Sequence, residues 1–132
     1  MVGLVLVSHS SKVAEGTAEL VEQMAGEVRV RSVGGDAEGG IGTDPERIQS
    51  AIEEIDSGDG VLVFMDLGSA ILSAETVLEM LDADLRDRTR LVNAPFVEGA
   101  FAAGVAAAAG SDLEECLEAA DQARTEPKIP DQ

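Results

Sequence analysis

The chain contains a single histidine, His9, at a position where a histidine could do chemistry. It follows the apolar residues 2–7 and lies in the polar segment 8–11. A short apolar run of this kind predicts a strand buried on both faces. Open α/β sheets bind ligands beyond the carboxyl ends of such strands, and the N–H groups of the following helix favour an anion there. His9 is therefore a candidate for carrying a phosphoryl group.

A second apolar run, residues 60–65, is also followed by residues that could bind a ligand, namely Asp66, Gly68 and Ser69. Because the carboxyl ends of parallel strands meet at one edge of a sheet, we expect Asp66 to lie beside His9. A carboxylate there would accept a hydrogen bond from one ring nitrogen and fix the tautomer of the imidazole. Gly68 and Ser69 would offer N–H and O–H donors to a bound phosphoryl group.

Other polar positions near these strand ends have simpler interpretations. Ser10 is the serine that we expect closest to the phosphate. Glu98 is interpreted as a first-turn acid favoured by its helix dipole rather than as a catalyst. The glycine-rich residues 34–42 lack the G-K-[ST] ending of a phosphate loop, which favours a mobile connection over nucleotide binding. Thr43 and Asp44 are expected to cap a helix and also to be candidates for bordering the site.

Strand and helix patterns alternate four times, which predicts an α/β fold with an open, mainly parallel four-stranded sheet and helices on both faces. We expect strands over residues 2–7, 28–33, 60–65 and 90–94. We expect helices over residues 12–26, 43–56, 97–109 and 111–123, with a further helix after residue 69. Residues 1–123 are predicted to form one domain, and residues 124–132, with two prolines, a flexible tail.

The apolar spacing also predicts which side chains these helices bury and how they are capped. The first helix is expected to be capped by Ser10 or Ser11, and the last helix to begin at a Ser111–Glu114 capping box. Residues 85–90 are expected to be a polar connection. The side chains expected to be buried by the first helix are Val13, Ala14, Leu20, Val21 and Met24, and those by the third helix are Ile71, Leu72, Val77, Leu78 and Leu81.

The composition is strongly acidic, with 26 Asp and Glu against nine Lys and Arg and a net charge of −17. Such a surface repels nucleic acid and is destabilised by self-repulsion at low salt, which predicts a protein from a salt-rich cytoplasm. There is no apolar run of membrane-spanning length and no signal-peptide pattern, so we expect a cytoplasmic protein that binds no membrane. Cys116 is the only cysteine and is expected to be a small buried hydrophobe, and we expect no metal and no cofactor.

Four motifs, in this order over residues 1–123, together resemble the phosphotransfer subunit of phosphoenolpyruvate-dependent dihydroxyacetone kinase. The motifs are S-H-S-S-K-V-A-E-G (8–16), I-G-T-D (41–44), M-D-L-G-S-A-I-L-S-A-E-T (65–76) and A-P-F-V-E-G (94–99).

The resemblance implies an enzyme IIA fold of the mannose type, phosphorylation of His9 and a supporting role for Asp66. It further implies a homodimer that accepts a phosphoryl group from the phosphocarrier HPr and passes it to ADP on the kinase's nucleotide-binding subunit. That transfer drives the phosphorylation of dihydroxyacetone. Some members of the family carry HPr-like and enzyme I-like domains after this one, which we expect here to be separate proteins.

Two alternatives stay open at the level of sequence. A mannose-type IIA domain of a sugar phosphotransferase system would hand its phosphate to a IIB partner, although the M-D-L-G-S-A-I-L-S-A-E run favours the kinase. A regulatory module without catalysis would make His9 merely structural. In the favoured interpretation, phosphate arrives and leaves on proteins through an exposed face around His9, and the chain alone binds neither ATP nor dihydroxyacetone.

Overall fold

Four parallel strands lie at the centre of the fold in the computed structural model, which describes residues 1–131. The strands, in the spatial order β2-β1-β3-β4, are β1 (Gly3–Ser8), β2 (Arg29–Gly34), β3 (Val61–Met65) and β4 (Thr89–Leu91). The helices are α1 (Ser11–Ala25), α2 (Pro45–Ile55), α3 (Gly68–Met80), α4 (Ala83–Asp87), α5 (Phe96–Ala108) and α6 (Leu113–Gln122). Each neighbouring pair of strands is parallel, so the predicted fold class is confirmed.

The sheet separates two apolar cores, because successive side chains of a strand point to opposite faces. Val5 and Val7 of β1 pack into one core with residues of α2 and α3. Leu4 and Leu6 pack into the other core with residues of α1, α5 and α6. Every residue of β1 is buried, as predicted for a central strand.

The strand order brings the two chemically important strand ends together. β1 and β3 are neighbours, and Val7 pairs with Met65 at the carboxyl ends of the two strands. The N–H of Asp66 donates to the carbonyl of Val7 over 3.2 Å, which extends the pairing by one step. His9 and Asp66 are therefore delivered to the same edge of the sheet by backbone pairing alone.

The buried face of α1 differs from the predicted one. Val13, Leu20 and Met24 are 46%, 50% and 66% exposed, so their predicted burial is wrong, whereas that of Ala14 and Val21 is right. Thr17 and Ala18 complete the buried face. The cause is close approach to α5, where a Cβ added at Gly104 would lie 2.6 Å from Val21 Cγ1. Small residues bring the two helices together and leave the larger apolar side chains outside.

α3 shows the same effect. Ala70, Ala74 and Val77 form its buried face, whereas Ile71 and Leu72 are 42% and 67% exposed, against the prediction. Alanines spaced four residues apart let the helix lie close to the sheet. Of the other predicted side chains, Val77 and Leu81 are buried and Leu78 is partly buried against the core.

The ends of several elements also differ from their predicted positions. Residues 85–90 are not simply a polar connection, because they include part of α4, and Leu85 is buried. β4 begins and ends earlier than the predicted 90–94. The last helix is capped by Asp112 with Glu115, not by Ser111 with Glu114, and both bonds of this capping box are present.

Residues 123–131 follow α6 without a further helix or strand. Residues 124–131 form turns, and Lys128 pairs with Glu98 at 3.0 Å. The flexibility expected of residues 124–132 stays a prediction, and Gln132 lies outside the described residues. In the part of the chain that is described, no helix is long and apolar enough to cross a membrane.

Candidate functional site

His9 and Asp66 face each other beyond the carboxyl ends of β1 and β3. His9 Nδ1 lies 2.9 Å from Asp66 Oδ1, and the two side chains are only 17% and 15% exposed. A carboxylate can only accept hydrogen bonds, so Nδ1 is assigned as the protonated nitrogen. Nε2 of the neutral ring then carries the electron pair with which such a ring can act as a nucleophile.

Asp66 is held by four hydrogen bonds. Its Oδ1 accepts from His9 Nδ1 and from the Leu67 N–H, and its Oδ2 accepts from Ser8 Oγ at 2.7 Å and from the His9 N–H at 3.1 Å. Burial raises the pKa of Asp66, but the hydrogen bonds from Ser8, His9 and Leu67 outweigh it, so the pKa lies below its usual 3.8. The carboxylate is therefore charged at neutral pH and fixes the imidazole from one side.

Nε2 of His9 faces the N-terminus of α3. Ser69 Oγ contacts this nitrogen. Leu67, the N-cap residue, makes no side-chain capping bond, so no side chain caps the first turn of α3. A Cβ added at Gly68 would meet no heavy atom within 4 Å beyond its chain neighbours and the backbone of its own helix, which leaves room beside the turn. An open helix N-terminus favours a bound anion through its N–H groups and its dipole.

Ser8 holds the site more directly than Ser10 does. Ser8 is buried, and its Oγ donates to Asp66 and accepts from the Ser10 N–H at 3.0 Å. Ser10 Oγ accepts from the Val13 N–H, so its hydroxyl serves as the N-cap of α1. The sequence pattern places Ser8 beside His9 in the polar segment 8–11 but predicts no role for it. The available signal was a hydroxyl at the buried end of a strand whose neighbour ends in an aspartate.

The glycine loop, residues 34–42, contacts the His9 segment through its backbone. The Gly35 N–H donates to the Ser8 carbonyl at 3.1 Å, and the Gly42 N–H donates to the His9 carbonyl at 2.9 Å. A Cβ added at Gly34 would lie 2.4 Å from Ser11 Cα, so only glycine allows this approach. The loop thus braces the main chain on both sides of the His9 N–H.

The loop after β4 does not join this hydrogen-bond network. Glu98 pairs with Lys128, and that hydrogen bond lowers the pKa of the Glu98 carboxyl. No hydrogen bond links Glu98 to His9 or Asp66 within the described chain. Among residues 1–131, no three His, Cys, Asp or Glu side chains are grouped to hold a metal ion.

Residues 3–118 match the EIIA-man family model, described as the fructose IIA component of the phosphotransferase system. The chain belongs to the EIIA-man family. This EIIA-man chain is 46% identical over 121 residues to the phosphoryl donor subunit DhaM of PEP-dependent dihydroxyacetone kinase from Escherichia coli K12. The match covers 89% of this chain and 26% of that protein, so the chain spans about a quarter of that relative's length.

Shorter relatives match the EIIA-man chain along most of their own length. The phosphoryl donor subunit DhaM of PEP-dependent dihydroxyacetone kinase 2 from Listeria innocua is 45% identical over 106 residues, covering 80% of this chain and 85% of that protein. A crystal structure of a protein of unknown function superimposes with a TM-score of 0.88 at 40% identity, covering 99% and 98% of the two chains.

Proposed function

We propose that this chain is the phosphohistidine carrier of a dihydroxyacetone kinase. His9 accepts a phosphoryl group from the phosphocarrier HPr and passes it to ADP bound on the kinase's nucleotide subunit, which drives phosphorylation of dihydroxyacetone. The main support for the proposal is the 2.9 Å contact between His9 Nδ1 and Asp66, which leaves Nε2 unprotonated and directed at Ser69 at the N-terminus of α3. The relatives named as phosphoryl donor subunits of this kinase support the choice over a sugar-transporting IIA domain.

The first transfer forms one bond to phosphorus and breaks another. The electron pair on His9 Nε2 attacks the phosphorus of the donor's phosphohistidine, and the departing nitrogen of the donor keeps the electron pair of the broken bond. Nδ1 retains its proton, so the phosphorylated imidazole carries positive charge against the Asp66 carboxylate. Catalysis of such transfers is mostly positioning and charge stabilisation.

The second transfer runs in the opposite sense. A terminal phosphate oxygen of ADP attacks the phosphorus, the bond from phosphorus to Nε2 breaks, and the electron pair returns to the imidazole, giving bound ATP. Ser69 and the first-turn N–H groups of α3 hold the phosphoryl oxygens between the two events. The positive end of the α3 dipole stabilises the anion, and the exposure of this helix end lets a partner protein approach.

The assembly and setting of the carrier are part of the proposal. The exposed apolar side chains of α1, Val13, Leu20 and Met24, suit a surface that a second copy covers in a homodimer. The net charge of −17 suits a cytoplasm rich in salt, where self-repulsion is screened.

The test is to incubate the chain with phosphoenolpyruvate, enzyme I and HPr, and to measure its intact mass. Wild type should gain one phosphoryl group, and His9→Ala should gain none while the domain stays folded, because His9 lies beyond the strand end and outside both cores. Adding ADP with the kinase's nucleotide subunit should then remove the label. Labelling that survives His9→Ala, or labelling by ATP alone, would refute the relay.

A further inference from the structure

A hydrogen bond joins two of the sequence motifs at the edge of the site. Thr43, in the I-G-T-D motif, and Ser73, in the run that begins at Met65, place their hydroxyl oxygens 2.7 Å apart. Both residues are half-buried. Neither hydroxyl is hydrogen-bonded to His9 or Asp66 in the described chain, so the bond can act on the reacting atom only indirectly.

Each end of this bond leads back to His9. On one side, Gly42 precedes Thr43 and donates its N–H to the His9 carbonyl at 2.9 Å. On the other side, Ser73 lies one helical turn after Ser69, on the same face of α3, and Ser69 contacts His9 Nε2. The main chain of His9 and its nucleophilic nitrogen are thus linked through a closed ring of contacts.

The Thr43 end of the bond is firmly anchored. Asp44, the next residue, is the N-cap of α2 and accepts from the Glu46 N–H. Thr43 is therefore held between a residue bonded to His9 and a residue fixed to a helix whose apolar face is in the core. A hydroxyl fixed in this way can hold α3, whose N-terminus has no side-chain cap.

We propose that Thr43 and Ser73 are positioning residues, which hold the N-terminus of α3 over His9 Nε2 for phosphoryl transfer. The inference rests on the proposed function of His9. Transfer needs the phosphoryl group in line with Nε2, and a displacement of about 1 Å at such a site is enough to slow a reaction strongly. A shift of α3 would move Ser69 and the first-turn N–H groups together, away from the oxygens that they bind.

The variants Thr43→Val, Ser73→Ala and the double variant test this bond. The measured quantity is the single-turnover rate of His9 phosphorylation, by phospho-HPr at saturating concentration and by phosphoramidate as a small donor. Each single variant should slow both reactions about fivefold, the loss expected for one hydrogen bond. The double variant should be no slower than the single ones, because both remove the same bond. Thr43→Ser should restore the wild-type rate.

Thr76→Val is the matched control, since its hydroxyl bonds the Leu72 carbonyl within α3, away from Thr43. It should leave transfer unchanged. A second readout needs no phosphate: the NMR resonance of His9 Nε2 should move in Thr43→Val and Ser73→Ala and stay in place in Thr76→Val.

Wild-type rates in Thr43→Val, or equal slowing in Thr76→Val, would overturn the positioning role. If wild type accepts phosphate from neither donor, the proposed function fails instead. The resonance then still tests whether the bond positions α3 against His9: an unmoved His9 signal in both site variants would refute that positioning, and a moved signal would support it.

Discussion

Replacing Asp66 by asparagine probes the site with almost no change in shape. Each carboxylate oxygen accepts two hydrogen bonds, Oδ1 from His9 Nδ1 and Leu67 N–H, and Oδ2 from Ser8 Oγ and His9 N–H. An asparagine offers one accepting oxygen and one donating amide. Ser8 can rotate its hydroxyl and accept, but a backbone N–H cannot. In either orientation the amide therefore meets one N–H, of His9 or of Leu67, that has lost its acceptor.

The loss of one hydrogen-bond acceptor sets the expected loss of fold stability. One backbone N–H left without an acceptor destabilises the fold by about 1–3 kcal/mol. The cost to transfer is larger, because the amide cannot balance the charge of the phosphorylated imidazole. If its NH₂ faces Nδ1, the ring proton moves to Nε2 and the nucleophilic pair is lost. In a Ser-His-Asp triad the same replacement costs about 10⁴ in rate, and for Asp66→Asn we expect a loss of about 10²–10⁴.

The pH dependence of this variant has a defined sign. The pKa of Asp66 is lowered in the folded chain, so its contribution to stability is present above the unfolded pKa and is lost as the pH falls through the folded value. Asparagine does not titrate. The difference in unfolding free energy between wild type and Asp66→Asn should therefore be largest at neutral pH and shrink below about pH 4.

Two measurements check this prediction, single-turnover transfer from phospho-HPr and denaturant unfolding across the acid range. Asp112→Asn is the matched control, because Asp112 caps α6 away from His9 and asparagine caps a helix about as well. An unchanged transfer rate in Asp66→Asn would mean that Asp66 is only an acid at a helix start. A stability difference that grows towards low pH would refute the electrostatic argument.

Three further predictions concern packing, salt and assembly. Gly34→Ala should destabilise the fold by about 1–3 kcal/mol and slow phosphorylation, since its Cβ would lie 2.4 Å from Ser11 Cα. In the same denaturation assay Gly16→Ala, in open space on α1, should be neutral or stabilising. Equal effects of the two variants would contradict the steric reason. Unfolding in KCl from millimolar to molar concentration should show strong stabilisation because the charge of −17 is screened, and a flat response would rule this out. Light scattering in high salt should give a mass of about twice 13.7 kDa for the wild type and about 13.7 kDa for Leu20→Asp. A monomeric wild type would exclude the dimer.

The position of the site could be predicted from the sequence because it depends on strand ends. The apolar runs before His9 and Asp66 identify two central strands, and parallel pairing then places both residues at one edge. The roles of Gly34 and Gly42 could not be predicted in this way. Their contacts are made by backbone atoms or by the space of an absent Cβ, which no side-chain pattern reports.

The predicted buried faces of α1 and α3 are partly wrong for a related reason. Apolar spacing assigns the largest side chains to the core, but Leu20 and Leu72 are exposed. The buried faces of α1 and α3 instead carry small residues, because distances between elements decide how much side chain fits. Those distances are set by partners such as Gly104, far away in the sequence.

The main-chain hold of the glycine loop has a consequence for how such carriers evolve. The Gly35 and Gly42 N–H groups reach the His9 segment without any side chain, and the side chains of Ala37 and Glu38 at the exposed tip take no part in those bonds. Substitutions at the tip should therefore leave the main chain of His9 in place. Ala37 and Glu38 can thus vary between related sequences without loss of the backbone bonds that hold the His9 segment.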